Sequence, residues 1–301
     1  VRRLLRLMAP GLIGAGVVQI NLVVDVILAS TLAEGSISYL YFADRVNQLP
    51  LGVVGVAVGV TLLPLLTRQL SSGDEAAAAE SQNRAIEFAL LLTLPAAAAL
   101  IVISDPIISV LFERGAFDAV AKESTAGALA AFAFGLPAYV LIKALTPGFF
   151  AREDTSTPVR IAAAVMVLNI FLNLILMQVW GHVGIALASS VAAWANAAAL
   201  AVVLKRRGQL AIDDRLADRG PKIALASAGM TVGLFAGERL VVPACAGPCA
   251  ANIPSLAVLI IGSMVLYGGL AHILGAARWS DLKALRWRGG EEVGGSLTTP
   301  K

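Results

Sequence analysis

An acidic and a basic residue, Asp44 and Arg45, lie side by side inside an apolar stretch that runs from Ile37 to Leu66. The stretch exceeds the roughly 20 residues that a helix needs to cross a bilayer. A charge at the centre of such a helix costs about 2.5–3.5 kcal/mol on insertion scales, so a retained charge usually faces a cavity or a partner. Arginine can hold a phosphate through two parallel hydrogen bonds. The pair therefore predicts anion binding within the membrane, and a pair at the interface, where the helix begins, is the alternative.

A second acidic residue, Asp25, lies in the apolar segment that precedes this stretch. At 1.5 Å per residue, Asp25 and Arg45 would both lie about 10 Å below the outer ends of two helices joined by a short turn. Because burying a lone charge costs far more than burying a pair, we expect the two side chains to face one cavity, in contact directly or through one water. Asp44 would point about 100° away from Arg45 and so needs another partner.

Neutral oxygen-bearing side chains repeat at helical spacing in other apolar segments. Asn21 lies four residues before Asp25, and Asn169 lies four residues before Asn173, so each pair shares one helix face. Ser189 lies in the next apolar segment and adds a hydroxyl. This hydroxyl, the Asp25 carboxylate and the two amides of the second pair would suit a hard monovalent cation such as sodium. Hydrogen bonds between amides of neighbouring helices explain the same residues, and both interpretations stay open.

The composition identifies an integral membrane protein. The 301 residues are 58% hydrophobic and 14% charged, with a mean hydropathy of +0.81, whereas soluble domains carry about 25% charged residues. The apolar segments are unbroken and near 20 residues long, so they predict an all-α polytopic membrane protein rather than a β-barrel. The sequence shows no metal-ligand cluster, no P-loop and no nucleophile beside a base, so we expect a transporter rather than an enzyme, and no nucleic-acid partner.

Eight membrane spans are predicted, and the basic residues between them set the orientation. Seventeen Lys and Arg residues lie in one set of loops and termini, and two, Arg114 and Lys122, lie in the opposite set. By the positive-inside rule, both ends of the chain lie in the cytoplasm. The chain begins without methionine and with arginines that lead into a span, which suggests that an earlier part is missing. The predicted spans are Met8–Leu32, Ile37–Leu66, Ala85–Ile103, Gly127–Phe150, Val159–Val179, Val183–Leu204, Ile223–Val242 and Ile253–Leu274.

Three further features carry local predictions. Lys143 lies about seven residues from the inner end of its span, and we expect its side chain to snorkel toward that end. The outer loop 104–124 predicts a short interfacial helix. The mixed-charge loop 205–222 predicts a solvated amphipathic connector or, more simply, a loop whose charge only sets the orientation of the chain. Cys245 and Cys249 lie in an outer loop, where a disulfide and two free thiols both fit.

Four segments of the chain carry a resemblance to a known family. They read QINLVVDVILAS, GSISYLYFADRVNQLPLGVVGVAVGVTLLP, LFERGAF and GLPAYVLIKALTPGFFAREDTSTPVRIA, and they occur in this order within roughly residues 8–205. Together they resemble the MurJ (MviN) lipid II flippases, which belong to the multidrug/oligosaccharidyl-lipid/polysaccharide (MOP) exporter superfamily. The resemblance implies the second six-helix lobe of a MATE-like fold, followed by two additional transmembrane helices. It assigns residues 1–207 to the lobe, 208–222 to a cytoplasmic linker, 223–276 to two appended helices with a lipid-tail groove, and 277–301 to a cytoplasmic tail.

The resemblance also implies an activity and its partners. A flippase of this kind moves lipid II, an undecaprenyl-pyrophosphate-linked peptidoglycan precursor, from the inner to the outer leaflet of the bacterial cytoplasmic (inner) membrane by alternating access. The implied partners are lipid II, membrane lipids and a missing N-terminal six-helix lobe. Arg45 takes the headgroup role, with Asp44 and Gln48 in support. The implied sodium site consists of Asp25, Asn169, Asn173 and Ser189, and no other cofactor is implied.

Two alternatives remain from the sequence. The first is an exporter of another lipid-linked oligosaccharide, or a drug/cation antiporter, of the same superfamily; accumulation of lipid II on depletion would argue against it. The second is a membrane scaffold or a lipid-processing enzyme, which turnover of a labelled precursor into a new product would favour.

Overall fold

The protein is a bundle of long helices. The computed structural model describes residue 16 and residues 19–244 and 253–276, and within these residues it contains helices and no strand. Cys245, Cys249 and the beginning of the first predicted span lie outside the described residues. The helices are α1 (Gln19–Ser30), α2 (Ser36–Ser71), α3 (Glu75–Val102), α4 (Ser104–Phe112), α5 (Ala119–Phe150), α6 (Ser156–Arg206), α7 (Asp214–Ala244) and α8 (Ile253–Ile273).

Five of these helices are long and apolar enough to cross a membrane, namely α2, α3, α5, α6 and α8. This confirms the predicted class, an all-α polytopic membrane protein. Helix α1 is shorter as described, and α7 is not among the five. The predicted span Ile223–Val242 lies within α7, and its crossing of the membrane stays a prediction.

Aspartates in the connecting loops lie at the start of four of the described helices. Asp74, Asp118, Asp154 and Asp213 each accept a hydrogen bond from the backbone N–H three residues later, at 2.9, 2.9, 3.0 and 2.8 Å, which satisfies a donor that the first helical turn leaves free. Asp154 also pairs with Arg207 at 2.6 Å, so it ties the start of α6 to its end. Partial burial alone would raise the pKa of Asp154, but hydrogen bonds, the largest from Arg207, hold this pKa below its ordinary value.

Helix α6 is a hairpin of two spans. Its 51 residues are interrupted at Gly181, which has a φ of 55° and a ψ of −131°. Asn169 and Ser189 lie in contact across this break, with Nδ2 and Oγ 3.5 Å apart, whereas twenty residues of straight helix would separate them by about 30 Å. The two halves are therefore antiparallel, as the predicted spans Val159–Val179 and Val183–Leu204 require.

Helix α5 lies at the centre of the bundle, where it packs against α2, α3, α4 and α6. A small residue permits its closest approach, because a Cβ at Gly135 would lie 2.8 Å from the Cα of Ser190 on α6. Ser190 Oγ donates to the carbonyl of Ala131 at 2.6 Å, and Trp194 Nε1 donates to that of Phe134 at 3.0 Å. Both side chains therefore bond the backbone of α5 within one turn of its middle and hold the second half of α6 against it.

The two C-terminal helices pack on α3. Helix α7 begins at Asp214, inside the region predicted as a solvated connector, and Arg219 is only 8% exposed. The connector prediction is therefore wrong for this part of the chain, because a buried ion pair joins it to Glu87 of α3. The wider domain boundaries stay predictions.

The predicted short helix in the outer loop is present as α4. Phe112 at its end and Phe117 just after it pack against Phe42 of α2, with ring centres 4.9 and 5.6 Å apart. This aromatic cluster fixes the loop to α2 two residues before Asp44.

The turn of α6 gives a stability prediction. A Cβ at Gly184 would overlap the carbonyl oxygen of Leu176 on the opposite half of the hairpin. Gly184→Ala should therefore lower the free energy of unfolding by about 1–3 kcal/mol, the usual cost of overpacking. Thermal unfolding of the purified protein in detergent measures this.

The matched control is Gly268→Ala in α8, where a Cβ would meet nothing within 4 Å. Alanine at this position should leave the midpoint temperature of unfolding unchanged or raise it, because alanine is more favourable than glycine inside a helix by about 1 kcal/mol. Equal midpoints for the two variants would contradict a tight turn at residue 184.

Candidate functional site

The residues predicted to bind an anion lie on α2, near its start. Gln48 joins them, because its amide donates to Asp44 and its Oε1 accepts a hydrogen bond from Arg45 Nη1 at 3.4 Å. The guanidinium carbon of Arg45 lies 4.7 Å from the centre of the Tyr41 ring, within cation–π range. The sequence analysis missed Tyr41, although its spacing of four residues from Arg45 on one helix face was the available signal.

Arg45 remains exposed and free of a carboxylate partner. In residues 19–244 and 253–276 no ion pair joins Arg45 to an acidic side chain, so the direct contact with Asp25 that we expected is not formed. Asp25 is satisfied by amides instead, since Asn173 Nδ2 donates to it at 2.6 Å and Asn21 Nδ2 at 3.3 Å. A shared cavity or a bridging water between Asp25 and Arg45 stays a prediction. The guanidinium can offer its remaining N–H groups to an anion.

The residues predicted to bind sodium lie close together. Asn173 Nδ2 also donates to Asn169 Oδ1 at 3.0 Å, and Asn169 Nδ2 lies 3.5 Å from Ser189 Oγ. Both asparagines are buried, at 2% exposure or less. With Asp25, these residues join α1 to both halves of the α6 hairpin. The helical spacing of four residues therefore predicted the contact between Asn169 and Asn173, although it could not show which atoms face each other. Sodium binding by the set stays a prediction.

The orientation of the amides decides what this set can bind. Amide nitrogens, not oxygens, point at Asp25, while the Oδ1 atoms of Asn21 and Asn173 are buried and have no hydrogen-bond partner among the residues that the structure describes. The two ends of an asparagine amide are nearly equal in size, so rotation of Asn173 would turn its oxygen toward Asp25. The set would then present a carboxylate, amide oxygens and a hydroxyl, which are the ligands that sodium prefers. The unpartnered oxygens thus fit a cation.

Lys143 of α5 lies against α2 rather than toward the end of its own helix. A Cβ at Gly55 would lie 2.8 Å from both Cδ and Nζ of Lys143, so the lysine side chain occupies the space that the glycine leaves. The expected snorkelling is therefore wrong. Gly55 is buried and follows Arg45 by ten residues, so it lies about 15 Å further along α2. Lys143 therefore adds a positive charge between α2 and α5, which the sequence indicated only through the glycine.

Comparison with known proteins identifies relatives of this chain. The sequence model of the family described as Lipid II flippase MurJ matches residues 1–243. A probable lipid II flippase MurJ from Rhizobium tropici is 54% identical over 230 residues, which cover 76% of this chain and 43% of the relative. One from Rhizobium meliloti is 44% identical over 291 residues, which cover 96% of this chain and 54% of the relative. The chain thus spans about half the length of these relatives.

Solved structures agree with the sequence relatives. A structure described as lipid II flippase MurJ in an inward closed conformation superimposes with a TM-score of 0.75 and 28% identity, covering 92% of this chain and 54% of that one. A MATE family multidrug resistance transporter of the MOP superfamily, in an outward-facing conformation, gives a TM-score of 0.60 at 19% identity, covering 90% and 64%. The second likeness shows the fold alone, that of a MOP lobe. With the family match and the close relatives, it follows that this chain belongs to the lipid II flippase MurJ family.

Proposed function

We propose that this chain is the C-terminal part of a flippase that moves lipid II from the inner to the outer leaflet of the bacterial cytoplasmic membrane. The observation that supports this most directly is the exposed Arg45 guanidinium, which forms no ion pair within the described residues although Asp44 lies near enough to attract it. A guanidinium with free N–H donors inside an apolar lobe favours a negative ligand. The pyrophosphate of a lipid-linked precursor supplies that charge, and its polyprenyl tail stays in the surrounding lipid.

Each residue near Arg45 has a role in this proposal. Arg45 binds the pyrophosphate oxygens through paired N–H donors. Tyr41 and Gln48 hold the guanidinium in the absence of substrate, through a cation–π contact and one long hydrogen bond. Asp44 holds Gln48. Because the bond from Arg45 to Gln48 is 3.4 Å long, little is lost when the guanidinium exchanges it for a phosphate.

Transport requires a second wall to the cavity. The proposed partner is an N-terminal six-helix lobe of the same protein, which would close over the face of α2 that carries Arg45. Alternating access would then open this cavity to each leaflet in turn. Both ends of the present chain would lie in the cytoplasm, where the basic loops place them. The proposed chemistry is binding and release, with no covalent step.

Sodium would act at the set formed by Asp25, Asn169, Asn173 and Ser189. Rotation of the Asn173 amide would replace its donor bond to Asp25 with two oxygens facing one ion, and the ion would hold α1 against both halves of α6. Loss of the ion would restore the amide bond seen at 2.6 Å. The site would thus have two arrangements with different contacts, which is what coupling of an ion to a conformational change requires.

Arg45 substitutions test the anion role in the complete transporter. Arg45→Ala should lower lipid II translocation roughly tenfold or more, since hydrogen bonds to charged groups contribute about 1.5–3 kcal/mol. Arg45→Lys should retain part of the activity, because it keeps the charge and loses the paired donors. The measurements are growth of flippase-depleted cells and arrival of lipid II at the outer leaflet.

The control is Arg68→Ala, which removes an exposed arginine from the other end of the same helix and should support growth. Normal growth with well-inserted Arg45→Ala protein would remove Arg45 from the mechanism. Export of a different oligosaccharide lipid, with lipid II left in the inner leaflet, would favour the other exporter class.

Sodium dependence is tested with the membrane potential clamped and potassium replacing sodium. The unmodified transporter should slow down in potassium, and Asp25→Asn should remove the difference. Asn173→Asp adds a second carboxylate and should lower the half-saturating sodium concentration about tenfold, as added ligand charge does at other cation sites. Equal rates in both salts for the unmodified protein would refute the sodium role and leave the potential or protons as the driving force.

A further inference from the structure

A proline in α3 leaves one backbone carbonyl without its helical partner. Pro95 has no N–H, so the carbonyl of Leu91, four residues earlier, cannot form its usual hydrogen bond. Tyr267 on α8 donates its hydroxyl to this carbonyl at 2.7 Å. An unsatisfied carbonyl within the membrane costs several kcal/mol, so the tyrosine hydroxyl satisfies a strong local demand. The bond joins the second appended helix to the lobe.

A buried ion cluster joins the first appended helix to the same part of α3. Glu87 pairs with Arg219 of α7 at 2.7 Å and with Arg215 Nε at 3.2 Å, and Arg84 pairs with Glu87 as well. The side chains of Glu87 and Arg219 are 9% and 10% exposed. Arg84 also pairs with Asp213, just before α7. Breaking one partner out of such a buried cluster leaves uncompensated charge, which is strongly unfavourable.

The two anchors lie on one face of α3. Glu87 and Leu91 are four residues apart, one helical turn, so α7 and α8 attach side by side. The appended helices also pack tightly on each other, because a Cβ at Gly229 would lie 2.8 Å from Leu270 and one at Gly233 would overlap Leu266. The pair is therefore one unit, joined to the lobe by two adjacent polar anchors and by apolar packing of Met230, Leu234 and Leu259 against α3 and α4.

Both helices of this unit carry exposed apolar side chains. Val232 of α7 and Met264 and Val265 of α8 are 69%, 68% and 70% exposed. Such a surface suits contact with a long hydrocarbon chain, which has no polar groups to satisfy.

We propose that Tyr267 and Glu87 are positioning residues, which fix the α7–α8 unit on α3 so that a substrate tail held on this unit keeps a set distance from the headgroup bound at Arg45. This inference rests on the proposed function, because it requires a substrate with an anionic head and a polyprenyl tail. If the α7–α8 unit moved freely on α3, contact between this unit and a long tail would not strengthen binding of the substrate. Loosening the anchors should therefore weaken binding of long-tailed substrate and spare short-tailed substrate.

The transport experiment uses Tyr267→Phe, which removes the hydroxyl and nothing else. In the complete transporter, its apparent KM for a precursor with a full-length tail should rise about fivefold, as expected for one lost hydrogen bond. The KM for an analogue with a three-isoprene tail should not change. Ser263→Ala is the matched control, because the Ser263 hydroxyl bonds within its own helix, to the carbonyl of Ile260 at 2.8 Å.

A second variant tests whether Tyr267 matters because Pro95 leaves the Leu91 carbonyl without a helical partner. Pro95→Ala returns an N–H to α3, so the Leu91 carbonyl regains a helical partner and no longer needs the tyrosine. In that background, Tyr267→Phe should change the KM for the long-tailed precursor little. The same fivefold rise in both backgrounds would overturn the assignment, and so would an equal rise for both tail lengths.

A distance measurement tests the anchoring without transport. Spin labels at Ile101→Cys on α3 and Val258→Cys on α8, after replacement of native cysteines, should give a narrow distance distribution that broadens with Tyr267→Phe and with Glu87→Gln. An unchanged distribution in both variants would overturn the proposal. Failure of the unmodified transporter to move lipid II would instead refute the proposed function, whatever the labels report.

Discussion

The need to satisfy backbone groups inside a membrane governs how these helices meet. Lipid offers no hydrogen bonds, so a carbonyl freed by proline must find a donor on another helix. Tyr267 bonds the carbonyl that Pro95 frees in α3. Gln82 of α3 also reaches the backbone of another helix, at the carbonyls of Ala144 and Leu145 of α5, 3.5 Å away. At Pro95, proline thus creates a specific attachment point for a neighbouring helix.

Charge is distributed by a different rule. In the first half of α3, Glu87 and its arginines neutralise each other. Arg45 of α2 and Lys143 of α5 form no ion pair within the described residues, and in the proposed transporter the face that carries Arg45 is reached by a second lobe. Because Asp25 is satisfied by asparagine amides, it does not compete for the guanidinium. The lobe therefore keeps positive charge where a negative ligand would bind.

The sequence was sufficient for the fold class, the two spans of α6 and the shared helix face of Asn169 and Asn173. Those features follow from hydrophobic length and from spacing within one helix, which are local properties. It was insufficient where the outcome depends on helix rotation or on contacts between distant segments. Depth along the membrane suggested that Asp25 would meet Arg45, but depth says nothing about which way each helix faces. The direction of Lys143 depended on a glycine about ninety residues away, and the burial of Arg219 depended on Glu87.

The tight turn at Gly181 has a consequence for synthesis. The two halves of α6 meet without an intervening loop, so their contacts join residues that leave the ribosome within a few seconds of one another, at about 5–20 residues per second. Closing so short a segment needs little loss of chain entropy. Residues 156–206 can therefore pair early and enter the bilayer as one preformed helical hairpin. The polar amides of Asn169 and Asn173 would then already be shielded from lipid on the side that faces the second half of α6.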